Sequence, residues 1–294
     1  MSDCIALAGA VRKQFKLFPP TAAHWHDDAR TRLESCCCLS VDARARSIGR
    51  GSGVLGRLVM SGVLSLSSWA AWAPGLPDHA AWQVWAEGLR EPESVGEPGL
   101  PEIPAMMRRR ADRLARMTLR AAFDVLGGRV GLPVVYVSRH GSVGRSAELL
   151  EALARGDALS PAGFAASVHN AAPGFLGIVR KDPAPYTALA AETGCILAML
   201  AEVQAFLSDG HDEVLAILSD EPVPACYSPY VTEPEVAAAW AGVFRQGSAS
   251  GFVLSQTGAP SSPHAEAEVL AWVRWLLGDE LTFDCAPAWQ VRRV

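Results

Sequence analysis

Apolar and polar positions follow two different periods along the second part of the chain. Short apolar runs bounded by turn residues predict five strands, at residues 63–69, 134–138, 185–191, 213–220 and 251–255. Longer segments with apolar residues three or four positions apart predict five helices, at residues 79–89, 106–128, 146–156, 193–209 and 265–278. Strands that alternate with helices indicate an α/β fold built on a layered sheet.

The segment 106–128 has the clearest helical pattern. Its predicted apolar face consists of Leu114, Met117, Ala121 and Val125. Residues that commonly begin or end helices stand at several predicted boundaries: Asp78 at a start, and Gly88, Gly127, Gly156 and Gly278 at ends. These signals support the predicted helix boundaries.

Charge divides the chain into two parts. The protein has 294 residues, is 50% hydrophobic and carries a net charge of −5, which does not favour a nucleic-acid-binding protein. Residues 1–59 nevertheless hold nine basic and five acidic side chains and show no sustained period. We therefore expect residues 1–57 to be a basic, unstructured extension and residues 58–294 to form the folded domain, with Met60 as a candidate start of the functional chain.

The cysteines indicate the redox compartment. Seven are present, three of them adjacent at 36–38, and no Cys-x-x-Cys pair occurs. This spacing favours neither a disulfide framework nor a zinc site, so we expect reduced thiols, a cytoplasmic protein and no metal or other cofactor.

Residues 58–76 are uncharged over 19 positions and fit either a buried strand with its turn, which we favour, or a membrane segment. We expect no stable membrane insertion.

A first candidate site is Arg139-His140-Gly141, directly after the apolar strand 134–138. It resembles the motif of histidine phosphatases, in which the histidine is phosphorylated and arginines bind the phosphoryl oxygens. The resemblance would make His140 the catalytic residue. The other interpretation is a turn that Gly141 allows and in which His140 forms local hydrogen bonds.

A second candidate is the block 160–220. At this block the sequence resembles the ketosynthases of the thiolase superfamily, which have an Asn-x-x-x-Gly helix, here Asn170 and Gly174. A strand follows, here beginning at Pro185-Tyr186, and then a turn that carries the nucleophile and opens a helix. The helix is followed by a Gly, an Asp and a valine-rich strand, matched by Gly210, Asp212 and Val214.

The resemblance locates the position of the nucleophile. Counting forward from Asn170 and back from Gly210 by the family's spacing leads to the same residue, Thr193. A threonine replaces the reactive cysteine there, and an alcohol needs a dedicated base that a thiol does not. Cys195, two residues further on, is either a displaced nucleophile or, as we favour, a small core residue.

These departures resemble one class of ketosynthase partner, the short ketosynthase-like chain length factors of aryl polyene and xanthomonadin-type pigment clusters. The strings that carry the resemblance are MMRRRADRLARMTLRAA, SRHG, LSPAGFAASVHNAAPG and YTALAAETG. It also implies a thiolase-like layered α/β/α fold with a truncated C-terminal half, because the two histidines of an active ketosynthase have no matching motif here.

The resemblance further implies a non-catalytic subunit. It would pair with an active ketosynthase and contribute to the tunnel for an acyl chain carried by an acyl carrier protein. In the superfamily the strand before the nucleophile pairs antiparallel with its mate, which carries the interface over to residues 167–180 and 185–195. The candidate interface and tunnel residues are Ser167, His169, Asn170, Gly174, Pro185, Thr187, Leu189, Glu192 and Thr193. The alternative is an enzyme that uses His140 or Cys195.

Overall fold

The computed structural model describes residues 62–247, 250–257 and 264–294. The predicted extension 1–57 lies outside the described residues. Eight α-helices are found in the described part: α1 (His79–Ala86), α2 (Ala105–Arg108), α3 (Arg113–Leu126), α4 (Val143–Arg155), α5 (Pro161–Ala165), α6 (Ala171–Arg180), α7 (Cys195–Ser208) and α8 (Glu268–Leu277). The strands are β1 (Val63–Trp72), β2 (Val134–Val137), β3 (Tyr186–Leu189), β4 (Glu213–Asp220), β5 (Ala238–Gly247), β6 (Phe252–Gln256), β7 (Thr282–Ala286) and β8 (Trp289–Arg293).

All eight strands form one mixed sheet in the order β3-β2-β4-β5-β1-β6-β8-β7. Strands β3, β2 and β4 run parallel, and the pairs from β4 onwards are antiparallel. Helices α3 and α6 pack on one face through a core that includes Leu114 and Leu176. Helices α1, α7 and α8 cover the other face, where Ile196 and Trp272 are fully buried. The predicted layered α/β fold is therefore confirmed.

Helix α3 shows how local sequence sets an element. Its predicted apolar face is buried, and Gly127 ends it in the left-handed conformation at φ 53°. The predicted helix over 106–128 is however interrupted, because α2 ends at Arg108 and α3 starts only at Arg113. The Asp112 carboxylate accepts a hydrogen bond from the N–H of Ala115 at 2.9 Å and so forms an N-cap within the segment.

Strand β5 and the β7–β8 hairpin are absent from the predicted elements. The sequence of β5 is AAWAGVFRQG, and its first seven residues are all buried. A strand buried on both faces loses the alternation that identifies strands, and alanine favours helices when it is considered alone. Strand β5 nevertheless lies in the middle of the sheet, between β4 and β1.

The apolar stretch 58–76 contains strand β1, which pairs with β5 along its length. This confirms the predicted strand, which extends three residues beyond the predicted end at 69. None of the helices in the described residues is long and apolar enough to cross a membrane.

Candidate functional site

The carboxyl ends of the parallel strands β3, β2 and β4 bring three segments together. The segment 190–195, called the elbow below, follows β3, and the turn at residues 138–142 follows β2. Asp220 is the last residue of β4. In open α/β sheets this edge is where functional sites form. Both sequence-predicted candidates, the turn and the elbow, therefore lie at the same edge of the sheet.

Asp220 organises the turn after β2. One of its carboxylate oxygens accepts hydrogen bonds from the Ser138 hydroxyl and the Arg139 N–H, both at 2.8 Å. The Ser138 hydroxyl oxygen in turn accepts the Gly141 N–H at 2.9 Å, and Gly141 has φ 59°. Burial raises the pKa of Asp220, while these hydrogen bonds act in the opposite direction. The buried carboxylate of Asp220 therefore fixes the conformation of this turn through hydrogen bonds.

The geometry around His140 does not favour phosphoryl transfer. The guanidinium of Arg139, which would have to bind the phosphoryl oxygens, forms an ion pair with Glu233 at 2.5 Å. The ring nitrogen Nε2 of His140 lies 3.9 Å from the Glu235 carboxylate, and the adjoining cavity measures only about 20 Å³. Acidic side chains around a small cavity would repel a phosphate group. The turn interpretation fits the structure better, but its expected local hydrogen bonds of His140 are not found for Nε2, which has no hydrogen-bond partner among the described residues.

The elbow places the predicted nucleophile position at the start of a helix. Thr193 is exposed, and Gly194 takes φ 78° immediately before α7. A Cβ at Gly194 would lie 2.9 Å from the Cβ of Ala286, so the close approach of β7 requires glycine. The elbow borders a cavity of about 90 Å³, which is also lined by Glu268 and Cys285.

The described surroundings of the elbow do not activate a nucleophile. Cys195 is 1% exposed and its thiol donates to the Ala191 carbonyl at 3.4 Å. Burial, followed by the negative charge of Glu268, raises the pKa of this thiol, so it stays protonated. The histidine that lines the cavity, His264, is within hydrogen-bond distance of the Asp284 carbonyl, at 2.7 Å from Nε2.

The predicted interface residues gather along the free edge of β3. The Asn170 amide donates to the Tyr186 hydroxyl at 3.4 Å, and a Cβ at Gly174 would lie 3.3 Å from that hydroxyl. His169 packs edge-on against Tyr136 and bonds through Nε2 to the Ser138 carbonyl at 2.9 Å. The remaining predicted residues also lie on or beside this edge: Ser167 before α6, Pro185, Thr187 and Leu189 on or next to β3, and Glu192 in the elbow.

An apolar groove opens beside the same edge. It has a volume of about 810 Å³ and is lined by residues of α3, α4, α5 and α6, with Tyr186 of β3 also in its wall. Its walls are mostly small or apolar side chains, among them Leu149, Ala152 and Phe175. A cleft of this size and character suits an apolar ligand.

Sequence reasoning missed the two carboxylates that shape the site, Asp220 and Glu268. Asp220 ends an apolar strand, EVLAILSD, and a polar residue at the carboxyl end of a buried parallel strand was an available signal. Glu268 opens α8, far from the elbow in sequence, and only the tertiary fold brings the two together. No group of three His, Cys, Asp or Glu side chains placed to hold a metal ion occurs in the part of the chain that the structure describes.

The fold and the elbow define a ketosynthase-like protein of the thiolase superfamily. Residues 82–289 match the family model of the beta-ketoacyl synthase N-terminal domain, and the chain belongs to this family. A search of curated protein sequences found no match.

Two solved structures extend the comparison. One is the ketosynthase (ApeO) in complex with its chain length factor (ApeC) from Xenorhabdus doucetiae. It matches with 25% identity over 79% of this chain and 98% of the matched chain, with a TM-score of 0.69. The ishigamide ketosynthase/chain length factor matches with 16% identity over 64% of this chain and 63% of the matched chain, with a TM-score of 0.54. The second likeness shows the fold alone.

Proposed function

We propose that this chain is a non-catalytic, chain-length-factor-like subunit that pairs with an active ketosynthase in the cytoplasm. The pair extends a polyene chain of the aryl polyene type on an acyl carrier protein, and this chain needs no cofactor for its part. The observation that carries the proposal is the open edge of β3, bordered by exposed apolar side chains and an apolar groove. The similarity to a chain of a ketosynthase–chain length factor complex supports it.

The outer side of β3 has hydrogen-bonding groups available for another strand. The carbonyls of Pro185 and Leu189 accept the N–H groups of Val134 and Ser138, so the odd-numbered residues bond inward to β2. Successive peptide groups of a strand point to opposite sides, and the peptide groups of Tyr186 and Ala188 therefore face the free edge. Such an edge favours pairing with a partner strand.

Apolar side chains beside this edge would be covered by the partner. Ile178 of α6 is 65% exposed, Phe164 of α5 is 64% exposed, and Tyr186 is 41% exposed. Exposed apolar side chains grouped around a strand edge are typical of a protein interface. The aromatic Tyr186, which already contacts Asn170 and lies next to Gly174, is the best candidate for a central interface residue.

The groove gives the subunit a role in setting chain length. Because the groove opens beside β3, a partner bound to that edge would cover the groove and convert it into a closed tunnel. The acyl chain, held as a thioester by the carrier protein and by the partner's cysteine in turn, would then extend along Leu149 and Ala152. Covalent chemistry would remain with the partner, since the Thr193 hydroxyl has no hydrogen bond to a base within the described residues, and Cys195 is buried and protonated.

A substitution on β3 tests the proposal. Ala188→Pro removes an outward N–H and leaves the bonds between β2 and β3 intact, and proline is tolerated at a sheet edge. Ala188→Ser keeps the N–H and nearly the same volume, and serves as the matched control. Both variants and the wild type would be co-expressed with a ketosynthase from the same gene neighbourhood, and the complexes examined by gel filtration and native mass spectrometry.

We expect the wild type and Ala188→Ser to form a one-to-one complex that yields product with carrier protein and malonyl units. Ala188→Pro should fold, as judged by circular dichroism, and lose the complex. A ketosynthase complex that survives Ala188→Pro unchanged would refute an interface through β3. A wild-type chain that releases product without any ketosynthase would refute the non-catalytic role.

A further inference from the structure

The arginine-rich segment 108–120 contains two kinds of arginine. Four side chains have partners within the chain, in each case a carbonyl or a carboxylate: Arg108 with Leu100, Arg113 with Glu221, Arg116 with Glu97, and Arg120 with Glu102 and Asp124. Arg109 and Arg110 differ from these four. Both are exposed, and neither side chain has a hydrogen bond or an ion pair within the described residues.

Arg109 and Arg110 line the apolar groove of about 810 Å³. The other charged side chains in the groove wall are Asp112, Arg145 and Glu148. Asp112 and Arg145 offset each other, because the Asp112 carboxylate lies 3.7 Å from Nε of Arg145. Three arginines and two carboxylates give the wall a net charge of +1, and the two unpaired guanidiniums supply its positive side.

The shape and the charge of the groove indicate one class of ligand. A long apolar wall suits an aliphatic chain, and a guanidinium group binds a carboxylate or a phosphate. A phosphate monoester carries about −1.5 to −2 charges near pH 7 and would leave the groove with excess negative charge. A carboxylate carries a single charge and leaves the groove neutral. The groove therefore complements an aliphatic chain that ends in a carboxylate.

We propose that this groove binds free aliphatic carboxylates, with the chain against the apolar wall and the carboxylate at Arg109 and Arg110. Binding requires no partner subunit. The carbonyl of a carrier-bound thioester has no charge, so the two arginines distinguish a free acid from a chain attached to its carrier. The inference rests on the proposed function for its consequence in the complex, where a free acid would compete with the growing acyl chain for the groove.

The first test compares decanoate with decanol, which has the same chain and no charge. Both would be titrated into the full chain at pH 7, below the concentration at which decanoate forms micelles, and followed by calorimetry. Decanoate should bind about 4- to 25-fold more tightly, since each exposed ion pair contributes about 2- to 5-fold. This preference should shrink in about 0.5 M sodium chloride, because salt screens exposed charges. Decyl phosphate should bind no more tightly than decanoate.

The double variant Arg109→Gln/Arg110→Gln should bind decanoate and decanol equally. It removes no contact within the described residues, so its circular dichroism should match that of the wild type. Arg90→Gln is the matched control, because Arg90 is also exposed and without an ion pair in the described part of the chain, but does not line the groove. This control should retain the preference for decanoate.

The second test addresses the aliphatic chain. Decanoate should bind about 4- to 15-fold more tightly than octanoate, because each buried methylene group contributes about 2- to 4-fold. Ala152→Trp fills the groove and should weaken the binding of decanoate and decanol alike. Glu151→Trp places the same side chain next to that position but outside the groove wall, and should leave both affinities unchanged.

Each outcome decides one part of the inference. A decanoate preference that only Arg109→Gln/Arg110→Gln abolishes supports the carboxylate site. Equal affinity of the wild type for decanoate and decanol, or a loss shared by Arg90→Gln, overturns it. Tighter binding of decyl phosphate overturns the choice of a carboxylate, and affinities independent of chain length overturn the role of the groove. All titrations use this chain alone, so their failure is distinguishable from failure to pair with a ketosynthase.

Discussion

Replacing Gly194 by alanine should destabilise the protein for two separable reasons. Alanine is strained at φ 78°, which costs roughly 1–2 kcal/mol. Its Cβ would also lie 2.9 Å from the Ala286 Cβ and 3.2 Å from the Cys285 carbonyl oxygen, and overpacking of this kind costs about 1–3 kcal/mol. Gly156 ends α4 with the same φ of 78° and has nothing within 4 Å of an added Cβ. Gly156→Ala therefore measures the backbone strain alone.

We expect Gly156→Ala to lower the free energy of unfolding by roughly 1–2 kcal/mol and Gly194→Ala by roughly 2–5 kcal/mol. The measurement is urea denaturation followed by circular dichroism and tryptophan fluorescence, with the slope of each transition compared to the wild type. Equal losses for the two variants would show that β7 does not press on the elbow. The conclusion that Cys285 and Ala286 lie too close to Gly194 to admit a Cβ would then be refuted.

Three further outcomes are expected. Cys195→Ser should leave product formation by the complex within about tenfold of wild type, roughly 1.4 kcal/mol of barrier, because the thiol is buried and protonated; a larger loss with folding retained would make it a catalytic residue. Ala152→Trp should fill the groove and shorten the product seen by mass spectrometry, whereas Glu151→Trp, exposed on the same helix, should not; unchanged products would count against the groove. Burial raises the pKa of Glu268 above the usual value of 4.5, so its stabilising contribution is complete below that pH and is lost as pH rises through the folded pKa. Glu268→Gln should accordingly become more stable relative to wild type as the pH rises above 4.5, and a difference that does not change with pH would contradict this.

Local sequence patterns predicted the helices and strands whose own residues show apolar periodicity or capping residues. The apolar face of α3 and the left-handed Gly127 and Gly156 follow from spacing and capping alone, and all are found. Strand β5 could not be recognised in this way, because burial on both faces removes its period. Its place between β4 and β1 depends on contacts with residues more than 150 positions away, which no local window contains.

The candidate site likewise contains one residue that the sequence predicted and one that it did not. The position of Thr193 was predicted from the spacing of the ketosynthase family, counted from Asn170 and Gly210, and the structure places this residue in the elbow just before α7. Glu268 lies 75 positions beyond Thr193, and nothing in its neighbourhood indicates that its carboxylate reaches α7. The chemical state of the elbow therefore depends on a contact that only the folded chain makes.

The position of β3 at the end of the sheet has a consequence for protein turnover in the cell. Within the described sheet, the strand has four residues and is bonded to β2 alone, so its amides should open more readily than those of the central strands. A subunit whose weakest strand is completed by another chain is exposed to proteases while it is alone and protected once assembled. In the proposed pair with a ketosynthase, surplus copies of this chain would be degraded and paired copies retained, so proteolysis would keep the two subunits near equal stoichiometry.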